Sequence, residues 1–403
     1  MKTADVLIVG AGPAGLFTAM HCKDLKVFKL EKNASPGKKL LISGTGRCNL
    51  THDCKLSEFF DHYGVNHRFL KTALHGFTNF DLIRFFNNHG LETVVDKNGK
   101  VFPASQKAQD VLQVLLDVCK KNKVEIACNQ QITGIEKTGA GFEVKTNSGI
   151  FTSRFLVITT GGMSYPTTGS TGDGYHFAKQ FGHSIVPPKP SLSPVFIRDY
   201  TMASISGVSV QNKTVYLYRG DKKIMEHPGD IGFTHKGLSG PGILDFSRHI
   251  LSGDTLKVNF IDRKADEFRN EMIKVSEKEG KTAIQTYLKK FDLPRSLVLL
   301  ILKSINIEPE ARLAEITKVL RNQLVAALCE FPFTVEKVGG FTMAMVTAGG
   351  VSLDEVNPRT MESKLVPGLY FAGEVLDIDG DTGGYNLQAA FSMGFLVAKN
   401  LKV

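Results

Sequence analysis

ADVLIVGAGPAGLFTAMHCKDLKVFKLEK, residues 4–32, decides the fold. It opens on an unbroken apolar run, breaks at Gly10-Ala11-Gly12-Pro13-Ala14-Gly15, takes helical spacing through LFTAMHCKDL, and turns apolar again in KVFKLEK. A continuous apolar strand is buried on both faces, which implies a parallel sheet covered by helices. The unit is βαβ. Gly10, Gly12 and Gly15 match GxGxxG at the strand-to-helix junction: Gly10 permits the tight turn, Gly12 lets a pyrophosphate approach the backbone, and Gly15 lets the helix pack closely on the strand. Pro13 and Ala14 complete the turn, and the helix start offers unpaired N–H groups and a positive dipole end to phosphates. Glu31 ends the second strand sixteen residues beyond Gly15, where an acid accepts from adenosine ribose hydroxyls and disfavours a 2′-phosphate. Lys32 follows it.

The other end of the chain distinguishes between dinucleotides. An NAD domain is usually complete within one contiguous half, whereas a flavin domain commonly needs later strands and a terminal helix. PGLYFAGEVLDIDGDTGGYN, residues 367–386, supplies such a return: a buried strand, then Gly373, with Glu374 and Asp377 able to accept from ribityl hydroxyls. Gly380, Gly383 and Gly384 shape a loop for the isoalloxazine edge, where Tyr385 and Leu387 flank Asn386. A helix beginning at Asn386 would turn its positive end to charge developing on the pyrimidine side of reduced flavin. Gly394, inside that helix, is explained by close packing. FAD is therefore the expected cofactor.

The 403 residues, 42% hydrophobic and 22% charged, suffice for a large core and two or three domains. The formal net charge of +9 suits a polyanion, but its lysines and arginines are scattered among acids, as in DRKADEFRNEMIKVSEKEGK, and a solvated basic face is the commoner cause. Six cysteines without a CxxC pair fit a reducing compartment and argue against a metal site. MKTADVLIVG runs straight into the glycine turn, unlike a secretory leader, and SLVLLILKSI is too short to span a bilayer. We expect a cytoplasmic protein with no membrane partner.

Between the two glycine clusters, VNHRFLKTALHG, NFDLIRFFNNHG and AQDVLQVLLDVCKKN read as helices, and VEIAC, QITGIEK, GFEVKTN and RFLVITTGG as strands. The middle strands read as an antiparallel meander before the last rejoins the parallel sheet. PPKPSLSP, residues 187–194, reads as a linker. Alternating strands such as KTVYLYRG and DTLKVNFI follow, and after Asp262 the pattern becomes helical, including ARLAEITKVLRNQLVAAL. We place an FAD-binding domain at 1–190, an inserted β subdomain at 191–262, a helical subdomain at 263–335, and the rest of the FAD domain at 336–403.

KLLISGTGRCNLTH, TTGGMSYPTTGSTGDGY, GFTHKGLSGPGIL and the terminal VTAGGV…NPRTMESKLVPGLYFAGEVLDIDGDTGGYNLQAAFSMG, taken in order, resemble the HI0933-like (YhiN/BaiN-type) flavoproteins over essentially the whole chain. The resemblance implies an α/β fold: a Rossmann-like FAD domain of glutathione-reductase type, parallel sheet plus β-meander, with an inserted β-barrel-like and helical domain. It also implies an NAD(P)/FAD-dependent oxidoreductase. Activities assigned in the wider family include reduction of unsaturated bile-acid rings and aminoacetone oxidation. Thr160, Gly161 and Gly162 are similar to the strand end that passes near FAD in two-dinucleotide-fold flavoproteins, and Ile132 falls where such folds contact adenine.

Read physically, Gly44 and Gly46 make a flexible loop, and Lys38, Lys39 and Arg47 can face a diphosphate, Arg47 with a planar fork suited to it. Asn49 bonds flavin or backbone. Cys48 is a packed thiol or, alternatively, redox-active. Tyr165 is a candidate beside the flavin, and His235, in a loop rich in Gly and Ser, a candidate substrate-side acid; for both, a structural role stands as the plainer alternative. No Ser/His/Asp order, HExxH or Walker lysine motif supports hydrolase or NTPase chemistry. The expected function is hydride transfer between FAD and a small organic substrate lying between the FAD domain and the insert, with NADH or NADPH as transient electron donor. The rivals are a flavoenzyme acting on tRNA and a flavin-binding sensor or scaffold without turnover.

Overall fold

The computed structural model describes residues 1–402. The chain forms two compact units, residues 1–190 with 344–403 and residues 191–343.

In the first unit, β1 (Lys2–Val9), α1 (Pro13–His21) and β2 (Val27–Leu30) are the βαβ unit expected from residues 4–32. β1 and β2 pair in parallel, Val6 opposite Val27 and Val9 opposite Leu30. α2 (Ala108–Lys121) covers the sheet and leads into β3 (Glu125–Ala127), parallel to β2. β4 (Ile132–Thr138), β5 (Gly141–Thr146) and β6 (Gly149–Ile158) form an antiparallel meander. β6 belongs to both arrangements: it pairs antiparallel with β5 through its first residues and parallel with β1 along its length. Its last three residues pair in parallel with β7 (Leu369–Phe371), Leu369 opposite Leu156 and Phe371 opposite Ile158. The seven-stranded sheet thus joins both ends of the chain. α3 (Tyr385–Asn400) crosses α1 so closely that a Cβ on Gly394 would lie 2.6 Å from Ala14 O.

PPKPSLSP carries the boundary between the two units, at 190/191, but its first residues are not irregular. Ile185–Ser191 is a strand in a two-stranded sheet with Val346–Val351. Such a sheet gives each strand one open edge, where a proline lacking N–H costs no ladder bond.

In the second unit, six strands close into a barrel, in the order Val195–Ile197, Gly237–Ser239, Lys222–Phe233, Ser209–Arg219, Thr255–Asn259 and Phe331–Val338. Helices Ala265–Glu279, Arg295–Ser304 and Lys318–Cys329 share one apolar core with it, Phe268, Leu297 and Leu324 joining Val215, Leu217 and Phe260. The chain therefore divides at 343/344 rather than at 262/263 and 335/336. ARLAEITKVLRNQLVAAL is broken near its start: the helix begins at Lys318, where the Thr317 hydroxyl accepts from Leu320 N–H. A threonine cap satisfies a first-turn donor that a continuing helix would have served itself. Among the described residues no helix is long and apolar enough to cross a membrane.

Candidate functional site

The site grows from the turn after β1. Gly10 N–H donates to Leu30 O, and Gly10 has φ +100°, so the turn is stitched to β2 in a backbone region that glycine occupies without strain. A Cβ on Gly10 would lie 2.6 Å from Thr159 O, and one on Gly15 would lie 2.4 Å from Gly10 O. Neither position has room for a side chain. At Gly12 a Cβ would meet nothing within 4 Å. Gly12 is thus unconstrained by protein packing, and the open space above it leads to the start of α1, where Pro13 occupies the first turn. That is where a diphosphate can reach backbone N–H groups.

Glu31 is almost fully buried. Its carboxylate accepts from Ala11 N–H at 2.8 Å, Asn33 N–H at 2.9 Å and the Asn33 amide at 2.7 Å. A carboxylate has about four lone-pair sites, so it retains capacity for a ribose hydroxyl.

The end of β6 packs against the turn. The Thr159 hydroxyl donates to Val9 O and Gly10 O. Thr160 Oγ1 is buried without a partner. Gly161 takes φ +72°, and a Cβ on Gly162 would fall 2.4 Å from Thr347 Oγ1 and 2.9 Å from Glu374 Oε1. The segment after β7 also arrives here: Gly373, at φ +83°, lies against Ala14, with a hypothetical Cβ 2.9 Å from the Ala14 methyl. Glu374 is the hub of this side. It accepts from Thr347 N–H and Ser164 Oγ, each at 2.9 Å, and from Lys39 Nζ at 2.7 Å and 3.0 Å. Lys39 also donates to Ser164 Oγ.

Several cations are therefore placed differently from a diphosphate-facing cluster. Lys39 pairs with Glu374; Lys32 pairs with Asp173 at 2.7 Å; Lys38 donates to Asn33 Oδ1 at 3.2 Å. In each case a nearby acceptor satisfies the ammonium. Arg47 is exposed, its guanidinium 4.8 Å from the Phe102 ring centroid. Gly46, with φ +85°, and Gly44 form the turn before it. Cys48 is fully buried, and burial pushes its thiol up to about 12, the opposite of a reactive thiolate.

Asn49 binds backbone: its amide donates to Thr51 O and Val101 O and accepts from Gly384 N–H at 3.1 Å. That contact fixes the start of α3, which begins one residue before the expected Asn386. Gly384 caps the helix at φ +100°, and a Cβ there would lie 2.6 Å from the Thr51 backbone. The Asn386 side chain closes the preceding loop, accepting from Gly380 N–H and donating to Gly380 O and Asp381 O. Tyr385 is buried between two imidazoles, with ring centroids 3.9 Å from His62 and 5.5 Å from His52, nearly parallel to both. His62 Nδ1 lies 3.0 Å from Asp381 Oδ2. Leu387 is half-buried. Asp377 accepts from Gly349 N–H, and burial pushes its carboxyl up against that hydrogen bond.

Other candidates are less closely joined. Ile132 opens β4, two residues past Gln130, whose N–H donates to Glu31 O. Tyr165 is half-buried at φ +51°, its carbonyl accepting from Thr168. His235 belongs to the second unit, exposed on the turn between Lys222–Phe233 and Gly237–Ser239. The sequence reading missed Ser164, Thr347 and the two imidazoles, His52 and His62, that stack on Tyr385, since none of them carries a spacing signal.

The first unit also assembles a Ser–His–Glu arrangement. His183 is buried, with Nε2 2.8 Å from Ser363 Oγ and Nδ1 3.3 Å from Glu355 Oε2. Ser363 Oγ already accepts from Leu365 and Val366 N–H and is itself buried. It is a strut, not a nucleophile.

The open approach at Gly12, the N–H groups of α1 and the spare capacity of Glu31 fit the dinucleotide portion of FAD. From the C-terminal segment, Glu374, Asp377 and the start of α3 add polar groups to the same unit. The family model of the HI0933-like protein Rossmann domain matches residues 4–400. A ribosomal RNA dihydrouridine synthase of Escherichia coli is 31% identical over 414 residues, covering 100% of this chain and 98% of that one. A 3-dehydro-bile acid delta(4,6)-reductase of Clostridium scindens is 30% identical, with 97% of each chain covered. Among solved structures, a 3-ketosteroid-delta4-(5alpha)-dehydrogenase from Rhodococcus jostii, in complex with 4-androstene-3,17-dione, aligns with a TM-score of 0.54 over 99% of this chain and 97% of that one. At 13% identity that likeness bears on the fold alone.

Proposed function

This chain belongs to the HI0933-like family of FAD-dependent oxidoreductases, and from that premise we propose that it reduces a carbon–carbon double bond conjugated to a carbonyl in a small organic substrate. The observation that carries the reading is the single cradle built from both chain ends: the Gly10–Gly15 turn, Glu31, and Gly373–Glu374 brought against Ala14 and Gly162. Bound FAD supplies the hydride. The protein's residues hold and orient it. The first turn of α1 would hold the diphosphate, Glu31 would accept from a ribose hydroxyl, and the start of α3 would turn its positive dipole end to the flavin. The Lys39–Glu374 pair and Ser164 fix the polar wall beside Gly162. The affiliation with glutathione-reductase-type proteins and the use of NADH or NADPH as donor belong to the same proposal.

The bile acid reductase, by its name, saturates bonds of the proposed kind in a 3-oxo ring system. A second reading is favoured by the name of the Escherichia coli relative together with the net charge of +9: a uracil ring within RNA, whose C5=C6 bond is likewise conjugated to a carbonyl. Anaerobic reduction by NADH or NADPH, followed by a panel of 3-oxo enones and uridine-containing RNA, tests both. Reoxidation with a stoichiometric saturated product supports the proposal and identifies the acceptor. Reoxidation by oxygen alone contradicts it.

Tyr165 is the proton-donor candidate within the FAD-binding unit. A loss of about 100-fold or more in turnover, with FAD binding intact, in Tyr165→Phe identifies it as the donor, and unchanged turnover rules it out.

A further inference from the structure

Strand β2 carries a lysine that the site described above leaves unused. All four residues of VFKL are buried, and Lys29 is 0% exposed. Its Nζ is buried without a hydrogen-bond partner. A Cβ built on Gly15 would lie 2.4 Å from Lys29 Nζ, and equally 2.4 Å from Gly10 O and Thr159 Oγ1. The ammonium therefore lies on the sheet side of the first turn of α1, directly behind the glycine turn.

The titratable groups that face it are few. They are Glu31 beyond the end of its own strand, Cys22 just after α1, and Cys119 on α2. Burial pushes the two thiols up to about 12 and about 11, so both are neutral at physiological pH. The Glu31 carboxylate is turned to Ala11 and Asn33. β1 contributes only apolar residues from Val6 to Val9. Burial in turn pushes Lys29 down to about 7. A buried, unpaired amine is costly, and a strongly perturbed group directly behind a ligand-facing turn is a functional-site candidate.

We propose that Lys29 is a buried countercharge for the dinucleotide diphosphate, acting through the first turn of α1 from the face opposite the ligand. The inference rests on the FAD reading above. Coulombic attraction through a low-dielectric turn favours the protonated amine once two phosphate charges are seated, so the chain takes up a proton as it binds the cofactor. Affinity then weakens as pH rises through the range in which the free protein's amine has lost that proton.

The test is equilibrium titration of the flavin-free, full-length protein with FAD, and with ADP and adenosine as probes carrying and lacking the diphosphate. It compares wild type with Lys29→Met and Lys29→Gln. For the wild type, FAD and ADP affinity should fall by up to about tenfold per pH unit above about pH 7, while adenosine affinity stays flat. Both variants should bind FAD about tenfold or more weakly at neutral pH, without that slope. Calorimetry in two buffers of different ionisation heat should show proton uptake by the wild type only. Variants that bind FAD with wild-type affinity and pH slope overturn the proposal. If neither variant folds, the wild type decides, and absence of proton uptake on ADP binding overturns it. A wild type that binds neither FAD nor ADP at any pH overturns the cofactor reading itself.

Discussion

Lys29 makes a prediction about the protein without its cofactor. Its folded-state pKa of about 7 lies below its ordinary 10.5, so the unfolded chain binds a proton more readily than the fold does. The resulting cost is fully present at and below neutral pH and disappears as pH rises to about 10.5, where both states are neutral. A difference of that size corresponds to about 5 kcal/mol. Lys29→Met, similar in volume and uncharged, should raise the urea midpoint of the flavin-free protein at pH 7, with a gain that shrinks towards pH 10. A midpoint unchanged or lowered at pH 7 contradicts the account. His183 gives a prediction in the acid range. Burial pushes its imidazole down, against the pull of Glu355, so the fold prefers it neutral. Stability should fall as pH drops below about 6.5, where the unfolded chain protonates first, and His183→Gln should flatten that part of the urea-midpoint profile. Lys29 had a visible signal, a lone cation inside an apolar strand. The His183 strut had none, because His183 lies far along the chain from Glu355 and Ser363.

At the scale of elements, four glycines with similar sequence settings have different jobs. Gly10 and Gly15 lack space for a methyl group, and Gly384 combines φ +100° with a backbone contact that a Cβ would place at 2.6 Å. Gly384→Ala should therefore shift the start of α3 and loosen the His52–Tyr385–His62 stack, lowering stability by about 2 kcal/mol or more in urea denaturation. Gly12 is the contrast, with φ −81° and open surroundings. Gly12→Val should leave stability within about 1 kcal/mol yet weaken FAD binding by about 100-fold, or about 3 kcal/mol. The βαβ unit was legible because burial on both faces and GxGxxG are local signals. The strand at Ile185–Ser191 was not, because its prolines conceal an edge strand. The break before Lys318 was also hidden: the apolar pattern runs through it, and only Thr317 marks the cap. Glu374 is legible as an acid next to the glycine return, but its pairing with Lys39 depends on residues 335 positions apart.

At the scale of the whole molecule, the FAD-binding unit is assembled from the two ends of the chain, which β7 and α3 bring onto β6 and α1. The long excursion between them folds as a unit with its own core. This arrangement explains why the two glycine clusters, far apart in sequence, serve one cradle. The remaining charge distribution carries no such signature, since its cations are interleaved with acids along the chain. The most direct measurement is a titration of flavin-free wild-type protein with FAD, alongside Gly12→Val. One equivalent bound by the wild type, with the visible absorption of protein-bound flavin, and strongly weakened binding by a stably folded Gly12→Val are the predicted results. A wild type that binds no FAD, or a Gly12→Val protein that binds it as tightly, would contradict the account.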